Sequence, residues 1–198
     1  MSIVDVLEES RIKLHEVDLS LVKASDPQNY RQVCGRIPEA MVAQWLAGCP
    51  EIERDTDVPR RVNGYRLEQR AYGSVTVHDS RTDRLIREFD GLIWYNRQPF
   101  VVEVKGGELK RRERRVRELL DMGRHVYDRR DVGLVVFMPF SASTEHSRRQ
   151  LEQQFRRLWF VDLRYKGWMM GETMRDYRRL NQQGEEPAKY WRMYRQRG

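Results

Sequence analysis

Two apolar runs near the centre of the chain constrain its fold more than any other feature, because together they predict a β-hairpin. The runs Leu92–Tyr95 and Phe100–Val104 are rich in branched and aromatic residues, which favour strands. Only the four residues Asn96–Pro99 separate them, a spacing that suits a short antiparallel connection. We therefore expect two paired strands joined by a two-residue loop at Asn96 and Arg97.

The register of this hairpin brings three charged side chains to one face. With the loop at residues 96 and 97, Asp90 lies opposite Glu103, and directly opposed residues share a face of the sheet. The strand period of two adds Lys105 to that face. An ordinary solvated strand face is the alternative, but opposed like charges are unfavourable without a cation. The other face is apolar and is expected to face the core; it carries Phe89, Ile93, Tyr95, Phe100, Val102 and Val104.

The charged trio suits the hydrolysis of a phosphodiester bond. Mg²⁺ takes oxygen ligands, commonly one or two carboxylates together with waters and a substrate phosphate, and Mn²⁺ suits the same ligands. The bound cation lowers the pKa of its water and screens charge developing on the phosphoryl group. A lysine ammonium can stabilise the same charge. We therefore expect Asp90 and Glu103 to bind the metal and Lys105 to act as the electrostatic catalyst.

Asp90, the hairpin and Glu103-Val104-Lys105 together resemble the PD-(D/E)xK nuclease superfamily, which includes restriction endonucleases and archaeal Holliday junction resolvases. The Glu-x-Lys half of the motif is intact, whereas Phe89 stands in place of the proline that names it. By order of elements the resemblance covers about residues 36–163. It implies an α/β fold with a restriction endonuclease-like mixed β-sheet flanked by helices, and metal-dependent cleavage of nucleic acid. Many members also carry a glutamate on the helix before the sheet, and Glu39 is the candidate.

Glu39 belongs to a segment that is expected to be helical. Pro38 suits a first helical position and Gly48 suits the position just past the end, which predicts a helix over Pro38–Ala47. Glu39 sits above the apolar stripe of this helix. A carboxylate there suits a further metal ligand or a group that positions water, and it suits the helix dipole equally well.

The remaining elements complete an α/β order. Strands are expected at Tyr72–His78, Arg84–Tyr95, Val132–Phe140 and Trp159–Leu163, and helices at Glu108–Arg129 and Glu145–Arg157. The result is a helix, a three-strand meander, then helix, strand, helix, strand, which is a mixed sheet flanked by helices. We expect one compact domain with a helical extension at residues 1–35, the nuclease-like core at 36–163, and a helical C-terminal extension at 164–198 that interleaves arginines with aromatics.

The charge balance suits an anionic partner. The chain carries 37 Lys and Arg against 30 Asp and Glu, for a net charge of +7, and only six of the basic residues are lysines. The arginine guanidinium binds phosphate through two parallel hydrogen bonds. Arginine-rich codon usage would give the same composition. We expect a basic cluster after the hairpin to contact nucleic acid; it comprises Lys110, Arg111, Arg112, Arg114 and Arg115. A solvated helix face paired with neighbouring glutamates is the alternative.

These features together predict a metal-dependent nuclease, with a DNA endonuclease preferred by analogy with the superfamily. Two alternatives stay open: an inactive nuclease-fold subunit that binds nucleic acid or scaffolds a complex, and a ribonuclease with the same site. A homodimer would suit cutting of two strands, though no residue indicates one. A mean hydropathy of −0.80 without a long apolar run argues against a membrane span. Two cysteines without zinc-type partners suit the free thiols of a cytoplasmic protein.

Overall fold

The computed structural model of the protein describes residues 2–9, 30–70, 73–105, 112–140 and 142–163. The helices of this part of the chain are α1 (Ile3–Glu9), α2 (Tyr30–Ala47), α3 (Arg112–Tyr127) and α4 (Ala142–Gln154). Its strands are β1 (Ile52–Arg54), β2 (Arg60–Val62), β3 (Tyr65–Gln69), β4 (Val75–Asp79), β5 (Leu85–Phe89), β6 (Gly91–Tyr95), β7 (Gln98–Val104), β8 (Gly133–Met138) and β9 (Leu158–Asp162). No helix in these ranges is both long and apolar enough to cross a membrane.

A mixed five-stranded sheet with the order β1-β6-β7-β8-β9 forms the centre of the fold. Strands β1, β6 and β7 pair antiparallel, whereas β7, β8 and β9 run parallel, with α3 and α4 on the two crossovers. Every residue of β8 is buried, as expected for a continuous apolar run in a parallel sheet. The prediction of an α/β fold with a mixed sheet flanked by helices is therefore confirmed.

The central hairpin has the predicted register. Tyr95 pairs with Gln98, and the ladder runs outward to the pair of Gly91 with Val102. Asn96 and Arg97 both have positive φ angles, 49° and 61°, which is the conformation that a two-residue type I′ loop requires. The residues just beyond the ladder are Asp90 and Glu103, so the register carries the two carboxylates to neighbouring positions.

The expectation of one strand over Arg84–Tyr95, within a three-strand meander, was wrong. The chain instead leaves a second, antiparallel sheet with the order β2-β3-β4-β5 at Phe89 and enters the central sheet at Gly91. Asp90 is the single residue between the two sheets. Both halves of the segment are β-prone and share a period of two, so the alternation does not reveal that the pairing partner changes.

The central sheet has a hydrophobic core on each face. Ile93, Tyr95, Phe100, Val102 and Val104 pack with residues of α1 and α2 in the first core. The second core lies between the other face, α3 and the second sheet. Phe89 belongs to this second core, so its predicted place beside Ile93 was wrong, because the change of sheet at Asp90 shifts the alternation.

Helix α3 approaches the central sheet closely at Gly123. A Cβ atom on this glycine would lie 2.6 Å from Val101 Cγ2 and 3.1 Å from Val132 Cγ1, which is closer than packed atoms allow at the first contact. The glycine therefore sets how near α3 lies to β7. Because Glu103 is on the same face of β7 as Val101, this spacing also sets how deeply Glu103 is covered.

Two predicted helix boundaries were wrong. Helix α2 begins at Tyr30, so Pro38 lies inside it rather than at its first position. A proline lacks only its own N–H and can stay within a helix at a cost, and Pro38 is buried here. Helix α4 runs over Ala142–Gln154 rather than Glu145–Arg157. The C-terminal extension at 164–198, residues 10–29 and residues 106–111 lie outside the described residues.

Candidate active site

Asp90 is held at the end of the hairpin by the backbone of β7. Its N–H donates to the carbonyl of Val102 at 3.1 Å, and its Oδ2 accepts the N–H of Val104 at 2.6 Å. The side chain of Asp90 thus occupies the place of the next backbone acceptor in the ladder. This anchors one carboxylate oxygen, and no other described residue hydrogen-bonds the Asp90 side chain.

Glu103 is the most deeply buried carboxylate of this region, with a side chain that is 1% exposed. Its Oε1 lies 2.7 Å from Lys105 Nζ and accepts hydrogen bonds from Arg115 Nη2 at 2.9 Å and Nε at 3.2 Å. Lys105 Nζ also donates to the carbonyl of Val104 at 3.0 Å. The strand β7 and the start of α3 therefore gather two cations around one buried acid.

The carboxylates of Asp90, Glu103 and Glu39 interact with one another electrostatically. Burial, followed by repulsion from Glu103, raises the pKa of Asp90 to about 8, and Lys105 opposes this shift. Burial also raises the pKa of Glu39, whereas the Arg36 guanidinium 3.4 Å away lowers it. Since the charges of Glu103, Lys105 and Glu39 all act on the pKa of Asp90, the fold brings the four predicted site residues into one neighbourhood.

The role of Arg115 was not evident from the sequence. It was expected to contact nucleic acid, whereas the structure places its guanidinium on Glu103. A signal was present, because Arg115 precedes Leu119 by four residues and so begins the buried stripe of α3, which continues through Val116, Leu119, Leu120 and Gly123. A basic residue in line with a buried stripe needs an acidic partner inside the fold, and Glu103 provides it.

The rest of the predicted basic cluster is only partly described. Lys110 and Arg111 lie outside the described residues. Arg114 is 74% exposed and pairs with Glu118 at 2.7 Å on the surface of α3, and Arg112 begins the same helix. An exposed pair of this kind is weak and can exchange for a phosphate, so a nucleic acid contact at this helix end stays a prediction.

The donor set at this site fits a hard divalent cation. Among the described residues, no hydrogen bond reaches Asp90 Oδ1 or Glu103 Oε2. The Val104 carbonyl accepts a hydrogen bond from the Lys105 ammonium, so a cation can approach it. Within the described ranges, no three His, Cys, Asp or Glu side chains form a group that could hold a metal. Mg²⁺ does not require such a group, because it commonly binds one or two carboxylates and completes its shell with water and substrate.

A separate pocket of about 480 Å³ lies between the loop after β1, β2 and the end of α3. Two of its charged residues pair with each other: Arg60 Nη1 lies 2.9 Å from Asp55 Oδ1 and 2.8 Å from Asp55 Oδ2. The Arg60 guanidinium also stacks 5.6 Å above the ring of Tyr127. None of the four predicted site residues lines this pocket, and its internal pairing indicates a structural connection between the two sheets.

No family model matches the chain, and no curated protein matches it. Among solved structures, the chain is similar to protein VC1899 from Vibrio cholerae, with 11% sequence identity and a TM-score of 0.41. The match covers 76% of this chain and 37% of that one, so this chain spans little more than a third of the length of the matched structure.

Proposed function

We propose that the protein is a metal-dependent nuclease that hydrolyses phosphodiester bonds, with DNA as its substrate. The observation that carries the proposal is the neighbouring pair of carboxylates, the partly buried Asp90 and the buried Glu103, with Lys105 Nζ 2.7 Å from Glu103. Repulsion between the neighbouring acids and the burial of Asp90, which together raise its pKa to about 8, would destabilise a site with a purely structural role. A bound divalent cation would offset this destabilisation, and such perturbed acids are typical of functional sites.

The residues divide the chemistry between them. Asp90 Oδ1, Glu103 Oε2 and the Val104 carbonyl would hold Mg²⁺ or Mn²⁺, which would supply an activated water and neutralise charge on the phosphate. Lys105 supplies a positive charge on the same side and stabilises the charge that develops on the attacked phosphoryl group. Glu39, whose pKa burial raises, would orient water or complete the metal shell.

DNA is preferred because most relatives in the superfamily that the motif resembles act on DNA, and the net charge of +7 suits a polyanion. An inactive nucleic-acid-binding subunit has no need for the full set of two acids and a lysine in one cluster. A ribonuclease would use the same residues, so the substrate panel of the experiment includes RNA.

The test is cleavage of supercoiled plasmid, linear duplex, branched DNA and structured RNA, each with Mg²⁺, Mn²⁺ or EDTA. The Asp90→Asn and Lys105→Ala variants run beside the wild type. Asp121→Asn is the matched control, because Asp121 is a carboxylate on α3 that is 55% exposed and pairs only with the neighbouring Arg124 among described residues.

We expect metal-dependent cleavage that Asp90→Asn and Lys105→Ala each reduce by at least 100-fold and that Asp121→Asn leaves unchanged. The substrate that is cut fastest identifies the substrate class. Retained binding of nucleic acid without cleavage of any substrate, equal in the wild type and both site variants, would overturn the nuclease proposal and favour the binding subunit.

A further inference from the structure

The contacts that described residues make to the buried Glu103 carboxylate converge on one of its oxygens. All the partners that Glu103 has among the described residues contact Oε1: Lys105 Nζ at 2.7 Å, Arg115 Nη2 at 2.9 Å and Arg115 Nε at 3.2 Å. A carboxylate that is 1% exposed ordinarily shares its partners between both oxygens, because each lone pair left without a partner is costly. The three contacts on Oε1 therefore fix the orientation of the group, and no described residue donates a hydrogen bond to Oε2.

Arg115 supplies the directional part of this arrangement. It lies in the first turn of α3, and two of its N–H groups converge on the same oxygen. The guanidinium fork is planar and rigid, whereas the ammonium of Lys105 is a rotating point charge. Lys105 alone already neutralises Glu103, so charge does not explain why a second cation is present. Orientation of the carboxylate does explain it.

We infer that Arg115 is a positioning residue of the proposed metal site, which holds Glu103 through Oε1 so that Oε2 is available, beside Asp90, to a divalent cation. This inference rests on the proposed function, because it assigns a role toward the metal of that site. It also changes the assignment of Arg115 from a contact of the nucleic acid backbone to a support of the metal ligand.

Positioning and simple electrostatics predict opposite effects when Arg115 is replaced. Removing a positive charge from beside two carboxylates strengthens the attraction of a cation to the site. Removing the fork lets the Glu103 carboxylate rotate, and loss of such outer support typically weakens metal binding by 10–100-fold. The sign of the change in metal affinity therefore separates the two roles.

The experiment measures Mn²⁺ affinity of the full chain by the electron paramagnetic resonance signal of free Mn²⁺. The proteins are the wild type, Arg115→Met, Arg115→Lys, Arg115→Gln and Asp90→Asn. Arg124→Met is the matched control, because Arg124 lies on the same helix in an exposed pair with Asp121 at 2.8 Å. Thermal unfolding in EDTA shows which variants are folded, and the Gln variant, which keeps an amide NH2 group but not the charged fork, serves if the Met variant does not fold.

We expect Arg115→Met to bind Mn²⁺ on the order of 10–100-fold more weakly than the wild type. Arg115→Lys should not restore the affinity, since it keeps the charge without the fork, and Arg124→Met should bind like the wild type. Mn²⁺ binding by the folded Met or Gln variant that is unchanged or tighter would overturn the positioning role of Arg115, and so would wild-type affinity in Arg115→Lys. Neither result would overturn the proposed metal site. Absence of Mn²⁺ binding by the wild type, or equal binding by Asp90→Asn, would overturn the proposed metal site and this inference with it.

Discussion

At the scale of single residues, the ionisation of Asp90 links the site to the stability of the fold. Its pKa is about 8 in the folded protein, mainly through burial, against an ordinary value of 3.8. Between these values the folded state holds a proton that the unfolded state has lost, so the free energy of unfolding falls as the pH rises from about 4 to about 8. The stability that protonated Asp90 contributes is fully present below the unfolded pKa and is lost as the pH rises through the folded pKa.

Asp90→Asn should therefore stabilise the protein at high pH. The amide oxygen can still accept the Val104 N–H, while the ionisable group is gone. In EDTA we expect melting temperatures that are similar near pH 4 and higher for the variant by several degrees at pH 8.5, measured by circular dichroism, with the difference growing steadily between. Asp121→Asn, a carboxylate substitution at an exposed position of α3, is measured beside it as the control. A wild type and an Asp90→Asn variant that respond identically to pH would contradict the raised pKa.

At the scale of elements, Arg60 connects the second sheet to the central sheet and α3. From β2 it contacts Asp55, donates to the carbonyl of Asp57 at 2.7 Å and approaches the carbonyl of Val126 at 3.5 Å. The Arg60 and Asp55 side chains are only 16% and 4% exposed. Because removal of one partner leaves the other charge buried, we expect Arg60→Met to lower the free energy of unfolding by about 3–5 kcal/mol in urea titrations.

Two further variants test this assignment of Arg60. Asp57→Asn alters a carboxylate that is 86% exposed and should change stability by less than about 0.5 kcal/mol. The double variant Arg60→Met with Asp55→Leu removes both charges and should recover much of the lost stability, because an apolar pair no longer leaves an unpaired ion. A loss for Arg60→Met as small as that for Asp57→Asn would show that the pair does not hold the sheets together.

The elements also show where sequence patterns are informative. The hairpin was predictable, because its strand pairing and its loop both lie within 15 residues of chain and follow local rules. The change of sheet at Asp90 was not predictable, since the same alternation of apolar and polar residues suits a strand in either sheet. The partner of Arg115 was not predictable either: Glu103 is 12 residues away, and only the packing of α3 on β7, permitted by Gly123, brings the two together.

At the scale of the whole molecule, the net charge of +7 predicts how the proposed DNA binding responds to salt. Each phosphate that a basic group neutralises releases counterions, so the logarithm of affinity falls linearly with the logarithm of salt concentration, with a slope of about −0.9 per contact on duplex DNA. Many described arginines already pair with acids, as Arg117 does with Glu113 at 2.8 Å. Since a phosphate must displace such acids, the slope should reflect fewer contacts than the net charge.

We therefore expect a slope of roughly −3 to −5, which corresponds to about three to six phosphate contacts. The measurement is fluorescence anisotropy of labelled duplex DNA between 50 and 200 mM salt, with the Asp90→Asn variant in EDTA so that binding is observed without cleavage. Arg114→Gln, at an exposed position near the start of α3, should reduce the magnitude of the slope by about one if it contacts a phosphate. Affinity that does not change with salt would contradict binding through the phosphate backbone, because every such contact exchanges a bound counterion for a basic side chain.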